Sequence, residues 1–516
     1  MIKQAIDART VVQWIGFFAG PAFAIACFFL LPDSFWSSEK KEWVGFSWAG
    51  RMTLSVMVWM GVWWLTETVH VTITALLPLV LFPLLGVAEM KSTSAPYANP
   101  FIFLFLGGFL LALSMQRWGL DKRIALNTLR LVGTSPRNMI AGFMVATAVL
   151  SAFVSNTATT AMMLPIALSV SNLVKRQSSS NPNRENGQKD NFSTCLMLGI
   201  AYSASIGGVA TIIGTPPNVF LISFINKDIA TGYQMEISFV RWMLIGATLA
   251  VVFLPLAYIL LTRFLVPVRI TAIEGGKQLI DDEILKLDRP GAGEWITFSV
   301  FLSTVTCWIL RPWLTGLSFE MGGQQYSPLS GLTDTGIVMV AAMLLFIIPV
   351  DLKKRTFVMD WQTARTLPWG ILLLFGGGLS LAAAVSANGV AEFIGSQVGL
   401  FKDLPQIVVV LLVTTGIVFL TELTSNTATS ASLIPVLAAI APGIGLHPFL
   451  LIVPAALAAS CAFMLPVATP PNAIVFGSGT VTIGQMSRAG LWLNLVSVVL
   501  ITILTFAVIK PVLGIR

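Results

Sequence analysis

The chain has 516 residues, of which 55% are hydrophobic and only 11% formally charged, against roughly 25% charged in an ordinary soluble domain. Such a chain cannot clothe a water-facing surface, so soluble enzymes and disordered scaffolds are excluded and an all-α polytopic membrane protein is expected. A net charge of +7 would suggest a nucleic-acid partner in a soluble chain; here the basic residues fall between apolar runs, and no nucleic-acid partner is expected. The four cysteines, Cys27, Cys195, Cys307 and Cys461, all lie in apolar runs and read as small core residues, with no disulfide or metal spacing.

In chain order, the N-terminus carries Lys3 and Arg9 and then an apolar run without a small-residue cleavage site, which reads as an anchor. Apolar segments follow at 11–31, 52–66, 69–88, 101–118, 138–170, 194–224 and 238–265, and again at 294–314, 334–350, 368–388, 406–440, 449–480 and 488–510. Segments 138–170 and 406–440 exceed one simple span and carry Ser-Asn-Thr in the middle. Each is read as a re-entrant hairpin, two half-helices meeting at a polar tip, which a membrane tolerates only where the tip is buried or lines a cavity. About eleven full spans remain. With the N-terminus inside, the cytoplasmic segments hold 21 of the 31 basic residues, including Lys353-Lys354-Arg355. The C-terminus then falls outside, and the protein is expected in the inner (cytoplasmic) membrane.

An internal repeat organises the chain. At an offset of 270, Gly107-Gly108 matches Gly377-Gly378, Ser155-Asn156-Thr157 matches Ser425-Asn426-Thr427, Pro165 matches Pro435 and Ser151 matches Thr421. At an offset of 254, Thr215-Pro216-Pro217-Asn218 matches Thr469-Pro470-Pro471-Asn472; the Ser/Asn-rich stretch Gln177–Asn191 of the first half, read as a solvated loop, explains the difference. The expected organisation is an anchor helix and outer loop (1–51), a first repeat (52–265) with hairpin 138–170 and broken helix 194–224, a linker (266–293), and a second repeat (294–516) with hairpin 406–440 and broken helix 449–480. One hairpin follows an even number of spans and the other an odd number, so the halves have opposite orientation. Inverted repeats, each with a broken helix, are the pattern of a secondary transporter and fit alternating access better than a passive channel.

At each hairpin tip, the amides of the following half-helix (Ala158–Pro165 or Ala428–Pro435) point at the break and favour an anion by roughly 0.5–2 kcal/mol each. Two such tips suit a substrate with a carboxylate at each end. No Lys or Arg lies beside either motif, and an uncompensated charge is costly inside a membrane. A co-bound cation supplies the compensation. Pro-Pro ends a helix and frees the carbonyls before it, so Gly214 and Ala468 are natural ligands for a hard ion such as sodium.

These residues resemble the divalent anion:sodium symporter (DASS) family of di- and tricarboxylate transporters, of the INDY type, from about Trp63 to Phe476. The resemblance implies that the substrate is held by Ser155, Asn156, Thr157, Ser425, Asn426 and Thr427 with Thr215, Pro216, Thr469 and Pro470. It implies one sodium site at Ser151, Ser155, Asn156 and the Gly214 carbonyl, and another at Thr421, Thr424, Asn426 and Ala468. A homodimer with an elevator mechanism, co-transported sodium and no organic cofactor are likewise implied. Two departures stand out. His70 occupies a position that is usually Pro in that family, which questions the local helix break, and the 177–191 loop is longer than expected.

The bland readings are helix capping for Ser-Asn-Thr, kinks for Thr-Pro-Pro-Asn, and packing for the glycine pairs and for Trp43, Trp48, Trp59, Trp63 and Trp64. Glu67 and Glu422 are intramembrane carboxylates and therefore functional candidates, although Glu422 could simply pair with a neighbour, and His70 reads as an interfacial or packed residue. The expected activity is sodium-coupled symport of succinate, malate or fumarate. The alternatives are a sodium-independent dicarboxylate exchanger and a carrier of citrate or sulfate. An enzyme is not expected: the chain has only His70 and His447, no His-Glu-x-x-His and no Gly-x-Ser-x-Gly.

Overall fold

The computed structural model describes residues 2–37, 42–133, 135–179, 189–270, 273, 275–321, 324–397 and 403–515. An apolar helix α1 (Ile2–Leu30) lies along α2 (Trp48–Thr66), with a two-stranded ribbon, β1 (Ser34–Ser37) and β2 (Glu42–Gly45), between them in sequence. The 69–88 segment is two pieces, α3 (Val71–Thr74) and α4 (Leu77–Leu84). The helix break before it is present without a proline. Glu67 ends α2 in the left-handed region at φ 46°, and the His70 ring accepts the Thr72 amide at 3.4 Å to cap α3.

After α5 (Met90–Ser94), α6 (Pro100–Trp118) starts at Asn99, whose side chain accepts the Phe101 amide at 3.0 Å, and stops at Gly119, φ 70°. Proline at the first position and a left-handed glycine just past the end are the residues those positions favour. The polar α7 (Leu120–Val132) leads to the first hairpin, α8 (Pro136–Ser151) and α9 (Asn156–Ser179). Here the half-helix expectation is corrected. The second arm runs 24 residues, about 36 Å at 1.5 Å per residue, straight through Pro165 instead of ending there. The second hairpin behaves likewise: α20 below passes Pro435. An interior proline costs one hydrogen bond, which a well-packed membrane helix absorbs. Helix extends to Ser179 and resumes at Lys189, so the predicted loop keeps only 180–188, outside the described residues.

Next come α10 (Lys189–Gly208), α11 (Pro216–Ser223), α12 (Phe239–Ile259), α13 (Gly276–Leu285), α14 (Ala292–Leu314) and α15 (Asp334–Ile347). A ribbon of β3 (Phe319–Met321) and β4 (Gln324–Tyr326) precedes α15, and one of β5 (Pro349–Asp351) and β6 (Thr356–Phe357) follows it. The chain continues with α16 (Trp361–Ala364), α17 (Trp369–Ala387), α18 (Val390–Gln397) and a second hairpin, α19 (Gln406–Thr421) and α20 (Asn426–Gly443). It closes with α21 (Phe449–Ala459), α22 (Pro470–Gly477), α23 (Ile483–Leu504) and α24 (Lys510–Val512). Among the described residues seven helices have the length and apolar composition to cross a bilayer, and shorter apolar helices lie at 71–84, 334–347, 406–421 and 449–459.

The packing interleaves the two halves. The first arm of each hairpin lies on its own half's broken helix, α8 on α10 and α19 on α21. The short helix after each break packs on the other half's hairpin, α11 on α20 and α22 on α9. The glycine pairs serve close packing, as read from the sequence. A Cβ on Gly377 would lie 2.1 Å from the Ala75 carbonyl, and one on Gly107 would lie 2.8 Å from Val338. Ion pairs sit at helix ends, as in Arg117–Asp360 at 2.6 Å, Arg130–Asp281 at 3.3 Å and Arg311–Asp334 at 3.2 Å.

Candidate functional site

Each hairpin tip is a four-residue turn between helices, 152–155 in the first and 422–425 in the second. At the first, the Ser151 hydroxyl lies 2.6 Å from Asn156 Oδ1 and 2.8 Å from the Ala204 carbonyl. At the second, the Thr421 hydroxyl lies 2.7 Å from Asn426 Oδ1 and 3.0 Å from the Ala459 carbonyl. A hydroxyl has one proton, so each cluster sets three oxygens together with a single hydrogen to share. That is an electron-rich, neutral oxygen set, the donor type a hard monovalent cation takes. Ser151 and Thr421 are fully buried, while Ser155, Asn156, Ser425 and Asn426 are partly open and Thr157 is exposed.

The breaks in the two long helices are built alike. Asn218 donates through Nδ2 to the carbonyls of Thr211 at 2.8 Å and Val209 at 3.2 Å; Asn472 donates to Leu465 at 3.1 Å and Ala462 at 3.2 Å. Both asparagines are completely buried, and in both Oδ1 has no hydrogen-bond partner. These residues were visible in the sequence as the last members of the Thr-Pro-Pro-Asn pair, and the structure gives them the task of tying each break together. Gly214 lies against the tip: a Cβ there would be 3.0 Å from the Ala152 carbonyl and 2.3 Å from that of Gly208. Gly208 in turn faces Asn156, with a Cβ placed 2.5 Å from Oδ1. Ser151, Asn156, Gly208 and Gly214 thus form one cluster.

The second tip differs in two respects. Thr424 turns into its hairpin, donating to the Leu420 carbonyl at 3.0 Å and pairing with the Thr429 hydroxyl at 2.7 Å; in the first half Val154 stands at that position, and the buried Thr159 hydroxyl has no partner. Glu422 pairs with backbone: its carboxylate accepts the amides of Phe463, Met464 and Leu465 at 2.6, 2.9 and 3.0 Å and Asn494 Nδ2 at 2.8 Å. Thr215 and Thr469 stand at the starts of the following short helices and are buried; Thr469 accepts the Asn472 amide at 3.3 Å, whereas Thr215 makes no side-chain cap, and Pro216 is partly open and Pro470 exposed. Ser155 accepts the Ala158 amide at 3.3 Å, whereas Ser425 makes no side-chain cap. Among the described residues no group of three or more His, Cys, Asp or Glu could hold a metal ion.

Paired helical hairpins beside paired broken helices, carrying neutral oxygen clusters in an apolar bundle, define a polytopic membrane transporter. Residues 40–515 match the family described as the sodium:sulfate symporter transmembrane region, and the chain belongs to that family, a family of transporters and not of enzymes. It is 39% identical over 515 residues to the "Sodium-dependent dicarboxylate transporter SdcS" of Staphylococcus saprophyticus, covering 99% of this chain and 94% of that protein. It is 38% identical over 504 residues to the protein of the same name from Staphylococcus aureus strain USA300, covering 98% and 92%. The fold is also similar to that of the Alcanivorax borkumensis YdaH transporter, with a TM-score of 0.59 and 12% identity over 97% of this chain and 98% of that one.

Proposed function

We propose that this chain is a sodium-coupled symporter of C4-dicarboxylates such as succinate, malate and fumarate. The observation that carries the reading is the matched pair of oxygen clusters, Ser151–Asn156 and Thr421–Asn426, each beside the start of a helix. Sodium would bind at Ser151, Ser155, Asn156 and Gly214 and at Thr421, Thr424, Asn426 and Ala468. The substrate carboxylates would meet Ser155, Asn156 and Thr157 on one side and Ser425, Asn426 and Thr427 on the other, with Thr215, Pro216, Thr469 and Pro470 completing the wall. The relatives' printed name, sodium-dependent dicarboxylate transporter, supports the same substrate class.

Translocation would proceed by elevator-type alternating access in a homodimer within the cytoplasmic membrane, N-terminus inside and C-terminus outside. The tips differ at one position. Phe153 packs edge-on against Phe301 of α14 at 5.2 Å, whereas its repeat partner Leu423 is 74% exposed. The two tips are otherwise buried alike, so the difference lies at this one position of each turn. The family description favours sulfate as a second reading. Uptake of radiolabelled succinate into proteoliposomes with and without a sodium gradient tests the proposal, and competing sulfate tests the alternative. Succinate uptake indifferent to sodium would sink the coupling; complete inhibition by sulfate at succinate's own concentration would favour the second reading.

A further inference from the structure

We propose that the β5–β6 turn and the segment leading into α17 form a headgroup site for acidic phospholipids: Lys353, Lys354, Arg355 and Arg365 supply the charge, and Trp361 and Trp369 set the depth. Two spans mark the level of the bilayer surface here, since one long apolar helix ends at Trp118 and another begins at Trp369. The ribbon is tied to the first of them. The Trp118 indole N–H donates to the Val358 carbonyl at 2.8 Å, and Arg117 pairs with Asp360 at 2.6 Å. It is tied to α15 as well, through the amides of Val358 and Met359, which donate to the carbonyls of Ile348 at 3.2 Å and Leu345 at 2.8 Å. On the other side the Trp369 indole N–H donates to the Arg365 carbonyl at 3.3 Å, and its ring lies 6.3 Å from that of Trp361. The turn and α16 therefore sit at the level where indoles and basic side chains meet headgroups.

The four basic residues are exposed, and so are Trp361 at 66% and Leu352, inside the turn, at 80%. Among the described residues none of the four cations forms an ion pair. The acid beside them, Asp351, is turned to the chain: its Oδ1 accepts the amides of Lys353 at 2.9 Å and Lys354 at 3.1 Å, which fixes the turn that carries both lysines. Arg355 follows at φ 50°, a left-handed position that glycine or asparagine fills at less cost. A basic run that only orients the chain in the membrane needs charge in a loop. It needs neither a fixed turn nor an arginine at a strained position. Unpaired cations beside exposed apolar side chains complement a surface with phosphates at one level and acyl chains below it. A soluble anion would leave Leu352 and Trp361 without a use.

The inference is independent of what the protein carries. Thermal unfolding of the full chain in detergent, at constant sodium, is followed while dioleoylphosphatidylglycerol, dioleoylphosphatidylcholine or inorganic phosphate is added. Phosphatidylglycerol should stabilise the wild type, with a shift that fades as potassium chloride is raised; the other two additions should give no comparable shift. A basic residue near an anionic surface is worth about fivefold in affinity. Lys353→Gln and Lys354→Gln should therefore each raise the half-saturating phosphatidylglycerol concentration about fivefold. Arg355→Gly should do the same while leaving the melting temperature without lipid near wild type, because glycine relaxes the left-handed position. Lys91→Gln, which removes an exposed cation of α5, should stay within twofold. Unchanged half-saturation in all three turn variants overturns the inference, as does an equal rise in Lys91→Gln. A matching shift from inorganic phosphate or phosphatidylcholine overturns it too. Should the lysine variants fail to fold, unchanged half-saturation in Arg355→Gly overturns it by itself.

Discussion

One methyl group at Gly208 tests the cluster at the first tip without deleting any of its polar atoms. The three nearest atoms to a Cβ there all belong to the Asn156 side chain, at 2.5, 3.0 and 3.1 Å. Ordinary contact begins near 3.4 Å, so Oδ1 must retreat by about 0.9 Å, the difference between 3.4 and 2.5 Å. That movement breaks the 2.6 Å contact with Ser151 and misplaces an oxygen assigned to both sodium and substrate. A polar group left without its partner at a buried site costs about 1–3 kcal/mol, which corresponds to a change of roughly 5–150-fold in sodium affinity. The neighbouring substitution Gly207→Ala is the control. Its Cβ would lie 2.2 Å from the Ala148 carbonyl and 2.5 Å from its Cα, so it must part α8 from α10 and costs about 1–3 kcal/mol of stability. Sodium titrations of succinate uptake and thermal unfolding in detergent read the two effects separately. Both variants should lower the melting temperature, but only Gly208→Ala should also raise sodium K0.5; Gly207→Ala should leave it near wild type. A Gly208→Ala transporter with wild-type sodium dependence would refute the placement of the first site.

Asn156→Ala and Asn426→Ala should each abolish succinate uptake while leaving the protein folded, as judged by gel filtration and thermal unfolding; normal uptake by both would dismiss the tips as the binding site. His70→Pro should be tolerated within about 1 kcal/mol, because His70 already sits at φ −53°, which proline adopts; a large fall in melting temperature would show that the imidazole cap matters more than its 3.4 Å contact suggests. Asp121, outside the spans in α7, is pushed up to about 6, chiefly by burial. The folded state therefore holds the proton more tightly than the unfolded chain, so stability falls as pH rises from the ordinary carboxylate range to about 6 and the penalty is constant above it. Asp121→Asn should raise the melting temperature at pH 8, by up to about 3 kcal/mol of stability, with the gain vanishing toward pH 4; a pH-independent difference would contradict this cause.

Much of the site is legible because it is written twice. A lone Ser-Asn-Thr in an apolar run is an ordinary cap, but two at a constant spacing, each followed by Thr-Pro-Pro-Asn, mark positions where both halves spend polar residues in an apolar setting. The pairs Ser151–Asn156 and Thr421–Asn426 follow from that spacing, since five residues span one hairpin turn. The His70 position misled in the other direction. Proline is one way to end a helix, yet a left-handed Glu67 and a side-chain cap do the same with residues that carry no breaker signal. The prolines at 165 and 435 were read as ends and are interior instead, because lateral packing sustains a helix that has lost one hydrogen bond.

Composition, charge placement and the repeat are properties of the chain alone, and they determine membrane class, the number of polar breaks and the residues at each. Contacts between distant segments are not. The exchange of short helices between halves, the asparagine ties across each break, the turning of Thr424 into its own hairpin and the four donors around Glu422 depend on chain folding: Glu422 and Asn494 are 72 positions apart, and the exchanged helices lie further apart still. Periodicity reports which face of a helix is apolar, whereas only the packed bundle decides which buried carboxylate meets which amides. The low charge of this chain therefore has two parts: the basic residues at helix ends, readable from their positions, and buried carboxylates such as Glu422 whose partners the packing alone supplies.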